Sequence, residues 1–395
     1  MKISLIQPSR NNLKYLKWSY DAIRKNQGSH EVEVCVADDA STDGTWEWCQ
    51  EMMEKDPHFK AILNDTGKRL GHTILYDRLI NEIATNDIAM IYHADMYLCP
   101  GALDAIEQEI KPRTIVSLTR IEPPLHPDGP EKILRDFGVE PEEFREEALL
   151  KFIASREPNQ ATTEGIFAPW AFYREDFQKI GGHDPLYAPQ SKEDSDIFNR
   201  FMLDGVSFVQ TWHGCVYHMT CRGSRRNTVD KAKNIYEDSP EWLAQNERST
   251  RNFIRKWGHF VKHDALMKPI IPPRYNIHIR IFNCTEALLR VLEPWSSTIF
   301  TDLLQEKVDS YIQQEQPNTA YDLTKRIVNS HTSDIVVRLD GKTFNSQDFQ
   351  YIQMLPDILK ENQVTGKFQL GNIELAIERL VEYQNQLINL ENGQS

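Results

Sequence analysis

Four short polar stretches of the sequence carry residue types that bind metal ions, phosphates or nucleotides. The first is His93-Ala94-Asp95, which follows the apolar run IAMIY and precedes the turn at Pro100-Gly101. Magnesium and manganese sites that also take phosphate ligands use one or two carboxylates from the protein. An exposed Asp95 at a strand end could bridge such an ion to a diphosphate. A structural role for a lone acid is equally compatible with the pattern.

The second stretch is DDASTDGT, residues 38–45. Its Ser-Thr-Asp segment, 41–43, has the composition of a helix N-cap and turn. The adjacent carboxylates of Asp38 and Asp39 are harder to explain as caps. A carboxylate accepts hydrogen bonds from an imide N–H or a ribose hydroxyl, so the doublet is a candidate nucleotide site.

The third stretch is QSKEDSDIF, residues 190–198, which leads into a helical pattern. Capping explains Ser191, and the positive end of a helix favours Glu193 and Asp196. Capping could also explain Asp194. The alternative is that one carboxylate of the stretch faces a cleft as a general base, because such bases are commonly Asp or Glu.

The fourth stretch is VYHMTCRGSRR, in which His218 ends a strand-like segment. A histidine beside apolar neighbours is more often structural than a ligand. Arg222, Arg225 and Arg226 surround Gly223 in a chain of net charge -13. Guanidinium forks match phosphate oxygens, so this loop is a candidate diphosphate-binding segment.

The elements that must position these residues alternate between strand and helix over the first 110 residues, which predicts a parallel sheet with crossover helices. Ligands bind such sheets at the carboxyl ends of the strands, where Pro8, Ser9 and Arg10 also lie. The segment 122–159 is acidic and Pro-rich, and we predict that it is a surface insertion. Residues 162–226 are predicted to complete the same domain.

Length and charge bound the remaining possibilities. A chain of 395 residues predicts two domains, with the boundary between residues 230 and 275. The excess of 58 acidic over 45 basic residues argues against a broad nucleic-acid or anionic-membrane surface. Six cysteines without a CxxC pair favour buried thiols, and with no apolar run of membrane-spanning length we expect a cytoplasmic protein.

The C-terminal part has no motif that indicates chemistry. Residues 231–274 are predicted to be a helical linker and residues 275–395 a small mixed α/β domain. For that domain the pattern predicts a strand, a helix, a second helix over 302–326, a further strand and two closing helices. Its role stays open among homo-oligomerisation, acceptor binding and docking of a partner.

In their order along the chain these motifs resemble the inverting GT-A glycosyltransferases of the large family-2-like group. The resemblance covers about residues 1–226. It rests on the order of five quoted segments and a final strand that ends in His218; the segments are SLIQPSRNN, VADDASTDGT, YDRLINEIATNDIAMIYHADM, GIFAPWAFYREDFQKIGGHDPLY and KEDSDIFNRFMLDG. It implies a Rossmann-like, mostly parallel mixed sheet flanked by helices. It also implies transfer of a sugar from a nucleotide-diphosphate sugar, expected to be UDP-linked, to a hydroxyl of a carbohydrate or glycoconjugate acceptor.

The resemblance assigns roles position by position. Asp194 would be the catalytic base with Glu193 beside it touching the acceptor, and Asp95 would bind Mn²⁺ or Mg²⁺ with His218 completing the site. The segment 165–182, with Trp170, would shape the acceptor pocket. The set expected to bind the nucleotide sugar and its metal is Pro8, Ser9, Arg10, Asp38, Asp39, Arg69, His93, Ala94, Asp95, Arg222, Arg225 and Arg226.

One departure from the family pattern keeps alternatives open. Where the family has two acids around one residue, this chain has His93-Ala94-Asp95, and His93 could supply either a metal ligand or a hydrogen bond to the sugar. A non-catalytic nucleotide- or glycan-binding module is therefore one alternative. A sugar-phosphate nucleotidylyltransferase is a weaker one, because LIQPSRNNLKYL lacks the glycine-rich loop of those enzymes.

Overall fold

A computed structural model of the protein describes residues 1–220, 226–230, 235–330 and 333–390. The chain divides into two compact units. The first comprises residues 1–244 and 263–269, and the second comprises residues 245–262 and the chain from residue 270 onward. The division falls inside one helix, Pro240–Trp257.

The strands and helices of the described residues are labelled in chain order. The strands are β1 Lys2–Ser9, β2 Glu31–Asp38, β3 Phe59–Leu63, β4 Ile88–Ile91, β5 Met96–Leu98, β6 Thr114–Glu122, β7 Ile133–Leu134, β8 Thr162–Thr163, β9 Trp170–Tyr173, β10 Ser207–His218, β11 Arg226–Asp230, β12 Ile235–Asp238, β13 Ile277–Phe282, β14 Thr298–Thr301, β15 Ile335–Asp340, β16 Gly366–Leu370 and β17 Ile373–Ile377. The helices are α1 Leu13–Asn26, α2 Thr45–Lys55, α3 His72–Arg78, α4 Ala102–Glu109, α5 Glu146–Ala154, α6 Arg174–Lys179, α7 Glu193–Leu203, α8 Pro240–Trp257, α9 Glu286–Leu292, α10 Gln305–Glu315, α11 Leu323–Arg326 and α12 Ser346–Asn362.

The first unit is built on a mixed sheet in which the described strands have the order β3-β2-β1-β4-β9-β6-β10-β5. Strands β1 to β4 run parallel, whereas β9 pairs antiparallel with both β4 and β6. Strands β1 and β2 are buried along nearly their whole length, as expected where helices cover both faces of parallel strands. The strand and helix alternation predicted for the first 110 residues is confirmed.

Helix α1 shows how the amphipathic segments cover this sheet. Its buried residues recur at three- and four-residue spacing, which places them on one face. They are Tyr15, Leu16, Ser19, Ala22 and Ile23.

The segment 122–159 consists mainly of loops and the amphipathic helix α5, and most of its residues are exposed or half-buried, as predicted for a surface insertion, but two apolar residues anchor it in the core. Phe137 and Leu149 are buried in a hydrophobic cluster that also contains Tyr217 of β10. The Tyr217 hydroxyl accepts a hydrogen bond from the Phe137 N–H and donates one to the Gly138 carbonyl. The acidic composition of the segment predicted exposure, but its few apolar residues pack into the core.

The second unit is the small mixed α/β domain that the sequence predicted, with strand order β14-β13-β15-β17-β16. The predicted helix over 302–326 was wrong, because α10 ends at Glu315 and Pro317 lies in a 3-10 turn, where proline cannot continue the α-helical hydrogen bonds. The prediction of two closing helices was also wrong. Helix α12 is followed by the hairpin β16–β17, whose turn contains Gly371 with φ +58°.

Two further predictions concern the whole chain. Among the cysteines of the described residues, Cys35, Cys49, Cys99 and Cys215 are buried free thiols, as predicted. Within the same described ranges, no helix combines the length and the apolar character needed to cross a bilayer.

Candidate active site

The carboxyl ends of β1, β2, β4 and β10 border a cavity of about 560 Å³. Parallel pairing aligns these ends, since Ser9 of β1 is opposite Asp38 of β2 and the Tyr92 N–H after β4 donates to the Ile6 carbonyl. The predicted site residues that line the cavity are Pro8, Ser9, Arg10, Asp39, Arg69, His93, Ala94, Asp95, Glu193, Asp194 and His218.

Other predicted residues lie elsewhere. Asp38 is fully buried and is not among the lining residues. Trp170 is also fully buried, packed against Phe172 and Phe198, while Phe167 is the aromatic residue of the predicted acceptor segment that lines the cavity. Two predicted arginines, Arg222 and Arg225, lie outside the described residues, and Arg226 begins β11.

Asp39 organises the loop that carries Arg69 into the cavity. Its carboxylate accepts hydrogen bonds from the Asn64 side chain and from the N–H groups of Leu70 and Gly71. Gly71 has φ +80°, and a Cβ there would lie 2.1 Å from the Pro189 carbonyl oxygen. Only glycine permits this close approach of the loop.

Arg69 and Arg10 both line the cavity, and both lie near Asp39. Arg69 donates to the Gln190 side chain at 2.7 Å, and Arg10 donates to the Asp39 carbonyl at 3.0 Å. Burial lowers the pKa of Arg69 from its ordinary value, opposed by attraction to Asp39.

A cluster of two imidazoles and a carboxylate lies at the meeting of β4, β5 and β10. Antiparallel pairing of β10 with β5 sets His218 opposite Met96, so that Asp95 is beside it. His218 Nε2 is 3.4 Å from Asp95 Oδ1, and ligand atoms of His93, Asp95 and His218 all lie within 4.8 Å of one another. Asp95 is buried, at 9% exposure, rather than exposed as we expected.

Glu122 at the end of β6 contacts His218 from its other side, and two basic residues contact Glu122 in turn. The His218 Nδ1 atom is 2.9 Å from Glu122 Oε1, which also accepts from Arg120 at 2.9 Å, and Lys132 lies 3.3 Å from the second Glu122 oxygen. Burial acts to lower the pKa of His218, but the carboxylates of Asp95 and Glu122 raise it to about 9.

Sequence reasoning missed Arg120 and Glu122. The available signal was a pair of opposite charges at the carboxyl end of the otherwise uncharged strand TIVSLTRIE.

The pKa values of His93 and Asp95, the other two residues of the cluster, are both lowered, for different reasons. Burial, together with repulsion from His218, lowers the pKa of His93 to about 4. Burial acts to raise the pKa of Asp95, but attraction to His218 and a hydrogen bond from it outweigh burial and lower that pKa. At neutral pH His93 is therefore uncharged and Asp95 is ionised.

The acids at the start of α7 reach the cavity through a strained turn. Ser191 and Lys192, which precede the helix, have φ +81° and +71°, values that residues other than glycine rarely adopt. Such strain persists only where the surrounding structure holds it, and it clusters at functional sites. The turn brings Glu193 and Asp194 to the cavity wall.

Glu193 and Asp194 have different surroundings. Glu193 Oε1 is 2.8 Å from His72 Nε2, whereas its buried Oε2 has no hydrogen-bond partner among the described residues. Asp194 is half-buried, and its pKa is raised to about 6 by burial and by the neighbouring Glu193. His72, which lies 121 residues from Glu193 in sequence, was also missed, because nothing in its local sequence indicates this contact.

The arrangement can support two kinds of chemistry in one cavity. Imidazole nitrogens and carboxylate oxygens are common ligands of divalent ions, so the donor set of His93, Asp95 and His218 fits such an ion. A carboxylate whose pKa lies near neutrality is suited to general base catalysis, which describes Asp194.

The N-terminal part of the chain is similar in sequence to known glycosyltransferases. Residues 4–181, a little under half of the chain, match the family model described as Glycosyl transferase family 2. The dolichol-phosphate mannosyltransferase of Pyrococcus furiosus is 31% identical over 111 residues, which are 28% of this chain and 30% of the relative. The match thus spans less than a third of that relative's length.

Solved structures with a similar chain trace are more distant in sequence. GalNAc-T7 with UDP, GalNAc and Mn²⁺ is 12% identical with a TM-score of 0.43, covering 55% of this chain and 44% of that one. The mannosyltransferase PcManGT from Pyrobaculum calidifontis, in complex with GDP-Man and Mn²⁺, is 20% identical with a TM-score of 0.40, covering 56% and 58%.

The description of the family model and the name of the relative both give the enzyme class that the sequence predicted.

Proposed function

We propose that the first unit is a metal-dependent, inverting glycosyltransferase. It moves a sugar from a nucleotide-diphosphate sugar, UDP-linked, to a hydroxyl of a glycan or other acceptor. The observation that carries the proposal is that one cavity holds both the His93, Asp95 and His218 cluster and the half-buried Asp194 carboxylate.

The acceptor side of the reaction rests on the two acids of α7. Asp194 removes the proton from the acceptor hydroxyl, for which its raised pKa suits it. Glu193, oriented by His72, has one oxygen without a hydrogen-bond partner among the described residues, and in this proposal the side chain contacts the acceptor. With His72 engaging Glu193, one carboxylate acts as base in a single displacement, which inverts the anomeric carbon.

The donor side rests on the strand ends. In this proposal Pro8, Ser9 and Asp39 contact the base and ribose, and Arg10 and Arg69, which line the same cavity, supply positive charge to the diphosphate. Asp95 and His218 would hold the divalent metal, which when bound would supply Lewis-acid stabilisation of the diphosphate leaving group. Most of the rate enhancement then comes from positioning and charge stabilisation.

The limits of the catalytic part are also proposed. We take residues 1–230 as the catalytic domain, 231–274 as a helical linker and 275–395 as a separate domain. Homo-oligomerisation through the last of these remains a prediction.

A donor screen tests the proposed function. Thermal unfolding is followed with UDP-, GDP- and other nucleotide sugars, each with and without Mn²⁺, because a bound donor stabilises the fold by mass action. We expect a UDP-sugar to raise the midpoint only when Mn²⁺ is present, and the same donor to be turned over with glycan acceptors. Metal-independent binding without hydrolysis or transfer would instead favour a non-catalytic binding module.

A further inference from the structure

We propose that His93 is a third protein ligand of the metal site and that the site selects transition-metal ions over Mg²⁺. The proposal deepens the proposed function by naming the class of metal ion. It rests on that function for what the metal does, but the selectivity itself is measurable without any sugar donor.

The geometry places three donors around one point. Ligand atoms of His93, Asp95 and His218 lie within 4.8 Å of one another, and the two imidazole ring centres are 5.5 Å apart. Ions that take imidazole and carboxylate ligands bind them at about 2.0–2.2 Å, so donors that share an ion are separated by no more than about 4.4 Å. Small side-chain adjustments therefore suffice to bring all three onto one ion.

Three of the histidines that line the cavity, at positions 72, 93 and 218, differ in which groups already contact their ring nitrogens. His218 has Glu122 on Nδ1, which leaves Nε2 toward Asp95, and a carboxylate on the far nitrogen is the usual support for a metal-bound imidazole. His72 is engaged by Glu193 through Nε2. The His93 ring, in contrast, has no hydrogen-bond partner in the part of the chain that the structure describes.

Backbone contacts nevertheless hold His93 in place. Its carbonyl oxygen accepts from the Met96 N–H at 3.3 Å and from the Gln7 side chain at 3.4 Å. A ring held at the cavity wall by its backbone, with both nitrogens available, is suited to accept a ligand rather than to support the fold.

The chemistry of this donor set decides which ion it prefers. Mg²⁺ is bound through oxygen ligands and keeps several waters, whereas imidazole suits zinc, iron, nickel and copper. Two nitrogens and one oxygen therefore favour Co²⁺ and Zn²⁺ over Mn²⁺, and Mg²⁺ least. His93 thus stands where the family has an acid, and its imidazole prefers transition-metal ions to Mg²⁺.

Calorimetric titration of the metal-free full-length protein with Co²⁺, Mn²⁺ and Mg²⁺ alone tests the proposal. The variants are His93→Ala and His93→Asp, and His213→Ala, an exposed histidine that does not line the cavity, is the matched control. We expect His93→Ala to weaken Co²⁺ binding by about tenfold or more. His93→Asp should reduce the preference for Co²⁺ over Mg²⁺, and His213→Ala should match the wild type.

A spectroscopic measurement makes the test independent of variant stability. Electron spin-echo modulation of bound Mn²⁺ should show nitrogen coupling from two imidazoles in the wild type and from one in His93→Asp.

Wild-type Co²⁺ affinity in His93→Ala, or coupling from one imidazole in the wild type, would overturn the proposal and favour a hydrogen bond from His93 to the sugar. If the wild type transfers sugar but either of these results is found, only the role of His93 as a ligand is wrong, and the proposed function stands. If His93→Ala loses Co²⁺ affinity but the wild type transfers no sugar, the role of His93 stands and the proposed function is wrong.

Discussion

Both units contain buried carboxylates, but Glu293 of the second unit and Glu193 of the first differ in how many of their oxygens have hydrogen-bond partners. In the second unit Glu293 is fully buried, and both of its oxygens are occupied, by Arg255, Arg326 and the Tyr311 hydroxyl. In the first unit Glu193 is nearly as buried, but one of its oxygens has no hydrogen-bond partner among the described residues.

The contrast is between a buried carboxylate inside a core and one at a cavity wall. A buried polar group without a hydrogen-bond partner costs free energy, which a substrate group can offset where the residue lines a cavity. Glu293 and its arginines form a closed network inside the hydrophobic core of the second unit. Glu193 and Asp194 face a cavity, where a substrate hydroxyl can supply the missing partner.

The pKa shifts of these groups run in opposite directions. Burial acts to raise the pKa of Glu293, but attraction to Arg326 and Arg255 outweighs it and lowers the pKa to about 2. The pKa of Asp194 is raised to about 6, because burial is joined by repulsion from Glu193. The ionised form is therefore stabilised by folding at Glu293 and destabilised by folding at Asp194.

The largest expected effect is on the closed network. Glu293→Gln leaves two buried guanidinium groups without their shared carboxylate, and we expect it to lower the free energy of unfolding of the second unit by about 3–5 kcal/mol. Urea denaturation measures this, with the exposed Glu286→Gln on α9 as control. A loss below about 1 kcal/mol would mean that the network contributes little to the fold.

A smaller effect is expected from His72→Gln. It removes the imidazole beside Glu193 Oε1, and the loss of one charge-assisted hydrogen bond of about 1.5 kcal/mol should lower the transfer rate by about tenfold. Donor affinity and the unfolding midpoint should change little, because about a third of the His72 side chain is exposed. A lower midpoint with an unchanged transfer rate would make His72 structural instead.

A change of pH is a smaller perturbation than either substitution, and it should alter the transfer rate through the ionisation of Asp194. Asp194 must be ionised to accept a proton, so the transfer rate at saturating metal and donor should rise with pH through a midpoint of about 6. A midpoint near 4, the ordinary pKa of an aspartate, would contradict the role of its surroundings.

The contributions of Glu293 and Asp194 to the free energy of unfolding should change with pH in opposite directions. The contribution of Glu293 is present above its unfolded pKa and is lost as pH falls toward 2. The contribution of Asp194 is present below its unfolded pKa and is lost as pH rises through about 6. Asp194→Asn should therefore be at least as stable as the wild type at pH 8, as measured by thermal unfolding.

The sequence predicted the parts of the fold that local pattern determines. Apolar runs located β1, β2 and β4, and because parallel strands end at one edge, they also predicted that Asp39 and Asp95 would share a site. The hairpin β16–β17 was missed, since GKFQLGNIELAI is a short pattern that tertiary pairing decides. The His72–Glu193 pair depends on a contact across 121 residues, which no local pattern records.

The most direct test of the account is the effect of Asp194→Asn on transfer and on donor binding, measured in the same preparation. The neighbouring Ser195→Ala, which does not line the cavity, is the matched control. We expect Asp194→Asn to reduce transfer by about 10²–10⁴-fold while calorimetric donor affinity with Mn²⁺ stays near the wild-type value, because only the base is lost. Transfer at the wild-type rate would show that Asp194 is not the base.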